Sequence, residues 1–250
     1  MRKTIIHHAY FFVFFTSLIT AYAAISEKAY ASNYEEQFPH VFKRHGPPVY
    51  KVALTFDDGP DLTYTPKILN ILKREHVKAT FFVLGVHAAC HPEMIRRIIK
   101  EGHTIGNHTF DHINLIHSTR SKIKWEIAAT EQVLVRISGQ TPKWFRAPYG
   151  NVNPLVLTEL QQLGYRAVNW SVDSNDWKSL PAKIVKQNIL QQVKPGAIIL
   201  QHCAGNEKED LTGTVRALPD VIHTLKKRGY QFVTIPQLLN ADTKTVHAKK

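Results

Sequence analysis

From Tyr50 to Thr234 the chain alternates short apolar, β-branched runs with amphipathic stretches of helical period, and that rhythm leaves few architectures open. Predicted strands are Lys51–Asp57, Ala79–Leu84, His103–Asn107, Trp144–Arg146, Ala167–Ser171, Ala197–Gln201 and Gln231–Thr234. Predicted helices between them are Thr65–Glu75, Pro92–Glu101, Ser121–Ile137, Asn153–Leu163, Ala182–Val193 and Val215–Arg228. Pro66 and Pro92 stand at helix starts and Gly102 and Gly139 just past helix ends, the positions each residue favours. Strands separated by helices pair in parallel, with the helices outside, so the expectation is an α/β fold closed or nearly closed into a barrel. Chemistry in such barrels gathers on the loops after the strand C-termini.

The N-terminus has a different character. Arg2 and Lys3 precede an apolar run from Ala9 to Ile25, and Ala29-Tyr30-Ala31 offers a small-x-small cleavage site. Residues 1–31 therefore read as a secretory signal peptide, with an uncleaved anchor as the alternative. Residues 32–48 are polar and interrupted by three prolines, the composition of a linker or arm. A domain over 49–240 and a basic tail over 241–250 complete the expected layout. A formal charge of +12 suits a secreted protein working beside wall polyanions. Nucleic acid is not expected, because no Lys/Arg run interleaved with aromatics occurs. The two cysteines, Cys90 and Cys203, make no disulfide framework; a single pair and two free thiols both remain open.

The strand ends carry the chemistry. Lys51–Asp57 runs into Asp57-Asp58-Gly59-Pro60, so two adjacent carboxylates arrive where the chain turns. Side by side they repel, and both ionise readily only beside a cation, whether a metal, an arginine or both. A plain Asp-Gly turn with one solvated Asp is the bland alternative. After the third strand, His108 and His112 have the spacing that presents two nitrogens to one ion. With 14 histidines in the chain, about one such pair is expected by chance. His87 and His91 form a second pair of the same spacing, in an expected loop with no carboxylate delivered to it. Two histidines and Asp58 would leave an open position for water, as in a catalytic zinc site. Asp57 is then the base that takes the proton from that water.

Five segments occur in order, each at a predicted strand end: Thr55-Phe56-Asp57-Asp58-Gly59, His108-Thr109-Phe110-Asp111-His112, Arg146-Ala147-Pro148-Tyr149, Asp173-Ser174-Asn175-Asp176-Trp177 and Leu200-Gln201-His202. Together, from about Lys51 to about Leu239, they resemble the polysaccharide deacetylases of the NodB-homology type, carbohydrate esterase family 4. The resemblance implies a distorted (β/α) barrel and a divalent metal held by Asp58, His108 and His112, zinc first, with cobalt or nickel as alternatives. It also implies Asp57 as base, Arg146 holding and tuning Asp57, His202 as the acid that protonates the leaving amine, and Asp176 orienting His202. By the same resemblance the Tyr149 N–H helps stabilise the oxyanion, and Trp177 and Leu200 wall the acetyl pocket. Asp173 remains the alternative partner in the fourth segment, and Tyr149, Trp177 and Leu200 could be core or rim. Relatives acting on muramic-acid residues tend to carry Asn at the second acidic position, so Asp58 favours N-acetylglucosamine. Cys203, where the family often has Asp, is expected to alter the rim of the acid site.

The resulting expectation is a secreted, wall-associated, monomeric deacetylase acting on N-acetylglucosamine in peptidoglycan, with no membrane span after signal cleavage. Chitin or chito-oligosaccharide is the second substrate. A two-carboxylate glycoside hydrolase would leave the histidines unexplained. A non-catalytic wall protein would not need the acids, bases and ligands intact.

Overall fold

A computed structural model describes residues 34–206 and 208–239, so the expected signal peptide and basic tail lie outside the described residues. The chain divides at His40. Before that point, residues 34–37 form one helical turn, in which Phe38 N donates to Tyr34 O.

The unit from Val41 onward is built around β2 (Lys51–Asp57). In chain order the other strands are β1 (Phe42–Lys43), β3 (Thr80–Val83), β4 (Thr104–Asn107), β5 (Trp144–Phe145), β6 (Arg166–Val168), β7 (Val172–Asp173), β8 (Ile198–His202) and β9 (Gln231–Phe232). The helices are α1 (Thr65–Arg74), α2 (Gly85–Cys90), α3 (Pro92–Lys100), α4 (Arg120–Ser138), α5 (Pro154–Gln162), α6 (Ala182–Gln192), α7 (Thr212–Lys227) and α8 (Ile235–Leu239). All pairing is parallel, in the order β1-β6-β5-β4-β3-β2-β8-β7, with β9 on the start of β2. This curved, unclosed sheet with helices outside is the distorted barrel expected.

The pleat of β2 shows how the sequence sorts itself. Val52, Leu54 and Phe56 point outward into a cluster with Ile68 and Leu72 of α1 and Val221 of α7. Ala53 points inward to meet Phe82, Ile198, Ile235 and Leu238, so α8 plugs the base of the barrel. A strand buried on both faces reads as a nearly continuous apolar run, as Lys51–Asp57 does. Each such large side chain removed from water stabilises by about 1.5–3 kcal/mol. The inward column then continues Ala53, Thr55, Asp57, changing from apolar to polar toward the mouth. Register places Asp57 beside His202 of β8, so base and acid candidates arrive at the same level.

Three local expectations change. Phe42–Lys43, expected within an arm, pairs with Ala167–Val168 as an edge strand. Gly85–Cys90, expected as a loop, is a helix. The single strand expected over 167–171 is two: β6 ends at Val168 and β7 begins at Val172. The break between them is where Arg146 enters the barrel. Its Nε donates to Val168 O and its Nη2 to Asn169 O, both at 3.2 Å, so a side chain replaces ladder bonds that a continuous strand would have made.

Candidate active site

All five segments meet at the C-terminal mouth of the barrel. Among the described residues, positive φ at non-glycine positions gathers here: Asp58 (70°), Thr109 (72°), His112 (58°), Tyr149 (61°) and Asn175 (54°). Backbone strain of this kind persists only where surrounding bonds hold it, and it clusters at functional sites.

Asp57 Oδ1 accepts from Arg146 Nη1 at 2.7 Å, and the same nitrogen reaches Thr55 Oγ1 at 2.8 Å. Arg146 is fully buried, with its guanidinium 4.3 Å from the Phe82 ring centroid. Four acceptors and an aromatic face therefore fix this cation under Asp57, the partner two adjacent carboxylates require.

Asp58 Oδ1 lies 3.2 Å from His108 Nε2 and 3.3 Å from His112 Nε2. These are the residues, among those described, whose ligand atoms converge within 4.8 Å of one another. His108 Nδ1 lies 2.8 Å from Arg146 O, a contact that needs the proton on Nδ1 and leaves Nε2 a lone pair. Asp58 Oδ1 is buried and has no hydrogen-bond partner. Three lone pairs thus converge, and a divalent cation satisfies all of them where a proton shared by His108 and Asp58 would leave His112 Nε2 unmet. The donor set, two imidazoles and one carboxylate, suits zinc. Burial alone would raise the Asp58 carboxyl, but the close approach and charge of His108, with the charges of His202 and His112 beyond, hold it well below the usual range. Burial alone would lower His108, yet the Asp57 and Asp58 carboxylates hold it above its ordinary value. The site attracts positive charge.

The turn between the two histidines is clamped from α4. Glu126, completely buried, accepts from Phe110 N at 2.8 Å and Asp111 N at 3.0 Å through Oε2, while Lys122 Nζ approaches Oε1 at 2.8 Å. Asn107 Oδ1 takes Thr109 N, and Thr109 Oγ1 takes His112 N, closing the turn on itself.

On the other side of the mouth, Asp176 Oδ1 lies 2.7 Å from His202 Nδ1. Asp176 Oδ2 accepts from His202 N and from Thr214 Oγ1 of α7. Asp173, the alternative, instead takes Asn175 N in a local turn. Burial would lower His202, but the charge and hydrogen bond of Asp176 raise it to about 10, with Asp58 and Asp57 adding to the pull. The imidazolium is stable at neutral pH, with Nε2 the nitrogen left for a partner in the cleft.

The cleft between these groups holds about 490 Å³, ample for a sugar unit. Tyr149, Trp170, Trp177 and Leu200 wall it and Glu209 stands at the rim. Tyr149 is exposed, its ring edge-on to His112 at 4.8 Å. Trp177 is half exposed, whereas Leu200 is a buried strand residue. Cys203 departs from expectation: it is buried, not on the rim. Its Sγ packs where a side chain at Gly59 would sit, and its N–H binds Asp57 O at 3.0 Å. Both cysteines are free thiols.

Sequence reasoning missed Glu126, Thr214, Trp170 and Glu209. Only Glu126 left a signal: it falls in the apolar stripe Ile123, Ile127, Thr130, Leu134 of α4, where a carboxylate needs a buried partner.

Residues 44–168 match the polysaccharide deacetylase family. A peptidoglycan-N-acetylglucosamine deacetylase of Bacillus cereus is 45% identical over 188 residues, covering 75% of this chain and 68% of that protein. The chain therefore belongs to the polysaccharide deacetylase family, hydrolases of amide bonds. The crystal structure of the Bc1960 peptidoglycan N-acetylglucosamine deacetylase in complex with 4-naphthalen-1-yl-N-oxidanyl-benzamide superposes with a TM-score of 0.80 at 41% identity, covering 83% of this chain and 95% of that one. A chitooligosaccharide deacetylase of a Bradyrhizobium species is 38% identical, covering 75% of this chain and 90% of that protein.

Proposed function

We propose that this protein is a secreted, zinc-dependent deacetylase that hydrolyses the N-acetyl group of N-acetylglucosamine units in peptidoglycan, releasing acetate. The observation carrying this reading is that a buried Asp57–Arg146 pair, the Asp58–His108–His112 cluster and the His202–Asp176 pair face one cleft.

Asp58, His108 and His112 would hold the metal, which when bound lowers the pKa of a water and polarises the acetyl carbonyl. Asp57 takes the proton as the water oxygen attacks the carbonyl carbon, and Arg146 keeps Asp57 in place until then. The Tyr149 N–H offers a donor to the oxyanion, held by a backbone that only a constrained turn maintains. When the C–N bond breaks, His202 gives its proton to the departing nitrogen, and Asp176 keeps the imidazolium oriented and charged beforehand. Trp177 and Leu200 flank the methyl group. The products are acetate and a free amine.

Two imidazoles and one carboxylate accommodate cobalt or nickel as well as zinc. The similarity to a chitooligosaccharide deacetylase supports chito-oligosaccharide as the second substrate reading, since the reacting sugar is the same. Acetate release from peptidoglycan and from N-acetylglucosamine oligomers, run in parallel with chelator and with added zinc, tests both. Chelator-sensitive release is expected, faster from peptidoglycan. Release indifferent to chelator would overturn the metal assignment, and a preference for free oligomers would move the substrate to chitin.

A further inference from the structure

Asp58 reaches its place through a left-handed backbone conformation, φ 70°, which an L-residue adopts only when its surroundings hold it there. Three consecutive carbonyls of this turn are each bound by a different donor. Asp57 O accepts from Cys203 N and Gly59 O from Leu84 N, both at 3.0 Å, and Asp58 O pairs with His87 Nδ1 at 2.6 Å. The outer two donors are backbone N–H groups that almost any residue would supply. The middle one is a side chain.

The segment carrying that side chain grips both ligand turns at once. Leu84 N binds Gly59 O, Gly85 N binds Thr109 O at 2.9 Å, Val86 N binds Phe110 O at 3.2 Å, and His87 returns to Asp58 O. Four successive residues thus bond to the Asp58 turn and to the His108–His112 turn. Gly85 allows the approach, since a Cβ there would lie 2.4 Å from the Phe110 ring. Because the partner is a carbonyl, His87 must carry its proton on Nδ1.

We propose that His87 is a positioning residue for the metal ligand Asp58, acting through that ligand's backbone carbonyl and setting the spacing between the carboxylate and the two histidines. This rests on the metal assignment made above. Removing the donor leaves Asp58 O short of its bond and lets the strained turn relax, so ligand geometry loosens while every ligand is still present. Asn is the conservative replacement: its amide nitrogen stands the same number of bonds from Cα as Nδ1 and donates in the same way.

Zinc affinity of the full-length protein, measured by competition with a chromophoric chelator, is the direct test, with the melting temperature of the zinc-free protein recorded alongside. His87→Phe keeps the ring and loses the donor. About tenfold weaker zinc binding is expected, the low end of what outer partners of metal ligands contribute. His87→Asn should stay within about threefold of wild type if the donor is what matters. His87→Ala replaces the Phe variant should that one not fold. Unchanged affinity in His87→Phe, whatever happens to the melting temperature, overturns the proposal and leaves only a packing role. Equal loss in the Phe and Asn variants overturns it too. A wild-type protein that binds no zinc would instead remove the metal assignment itself.

Discussion

Two pairs of histidines in this chain share one spacing and meet different fates. His108 and His112 flank a turn whose φ values at Thr109 and His112 are positive, and both present Nε2 to Asp58 Oδ1. His87 and His91 lie on and just past a short helix; one ring binds a backbone carbonyl and the other stands near Glu93 at 3.8 Å. Spacing is therefore only permission. A candidate metal site needs a third ligand brought in from another strand, and among the described residues such a cluster forms at the mouth of the barrel. Yet the second pair is not inert, since His87 touches the very residue that makes the first pair a site.

His108→Ala removes a proposed ligand and should lower acetate release about a thousandfold, roughly 4 kcal/mol of barrier, with zinc stoichiometry falling in parallel. Retained zinc and activity would end the distinction between the pairs. Asp176→Asn keeps shape but removes the charge that raises His202. The expected loss in kcat is about a hundredfold, with the basic limb of the pH profile moving to lower pH; a limb that stays put would mean another group sets it. Glu126→Leu leaves the half-buried Phe110 N–H and the more exposed Asp111 N–H without their shared acceptor. A stability loss of about 1–3 kcal/mol by denaturant titration is expected, along with weaker zinc binding. His91→Ala should change stability by less than about 0.5 kcal/mol and activity by less than about twofold. A larger effect would show that the second pair does more than position Asp58.

The His202–Asp176 pair adds a pH test in zinc-free protein. The imidazole's unfolded value is 6.5 and its folded value about 10. A raised folded value contributes stability that is fully present below pH 6.5 and is lost as pH rises toward 10. The melting temperature should fall across that window in wild type and fall less in His202→Gln.

Much of the site is legible in the sequence because residue type and strand-end placement are local properties. Asp57 and Asp58 follow an apolar strand, His108 and His112 follow another, and each ends where a breaker or polar turn begins. Arg146 is legible only in part. Its resemblance to a family segment suggests a partner for Asp57, but its four bonds depend on the gap between β6 and β7, which no local pattern announces. The α2 helix escapes notice because six residues carry too little periodicity to register. Glu209 and Trp170 enter the cleft through loops, where spacing says nothing of direction.

What the sequence determined by itself is the alternation of strands and helices, hence a parallel barrel, and the inventory of acids, bases and ligands at its mouth. These follow from nearest-neighbour chemistry, the pleat of a strand and the breakers that end it. Tertiary structure alone decided the partners. Asp176 takes Thr214 as well as His202, Cys203 goes under the Asp57 turn rather than to the rim, and His87 reaches Asp58. Each choice joins residues far apart in the chain, between groups any of which could bond to several others. Only the register of the strands and the packing of helices upon them fix which pair lies within 3 Å.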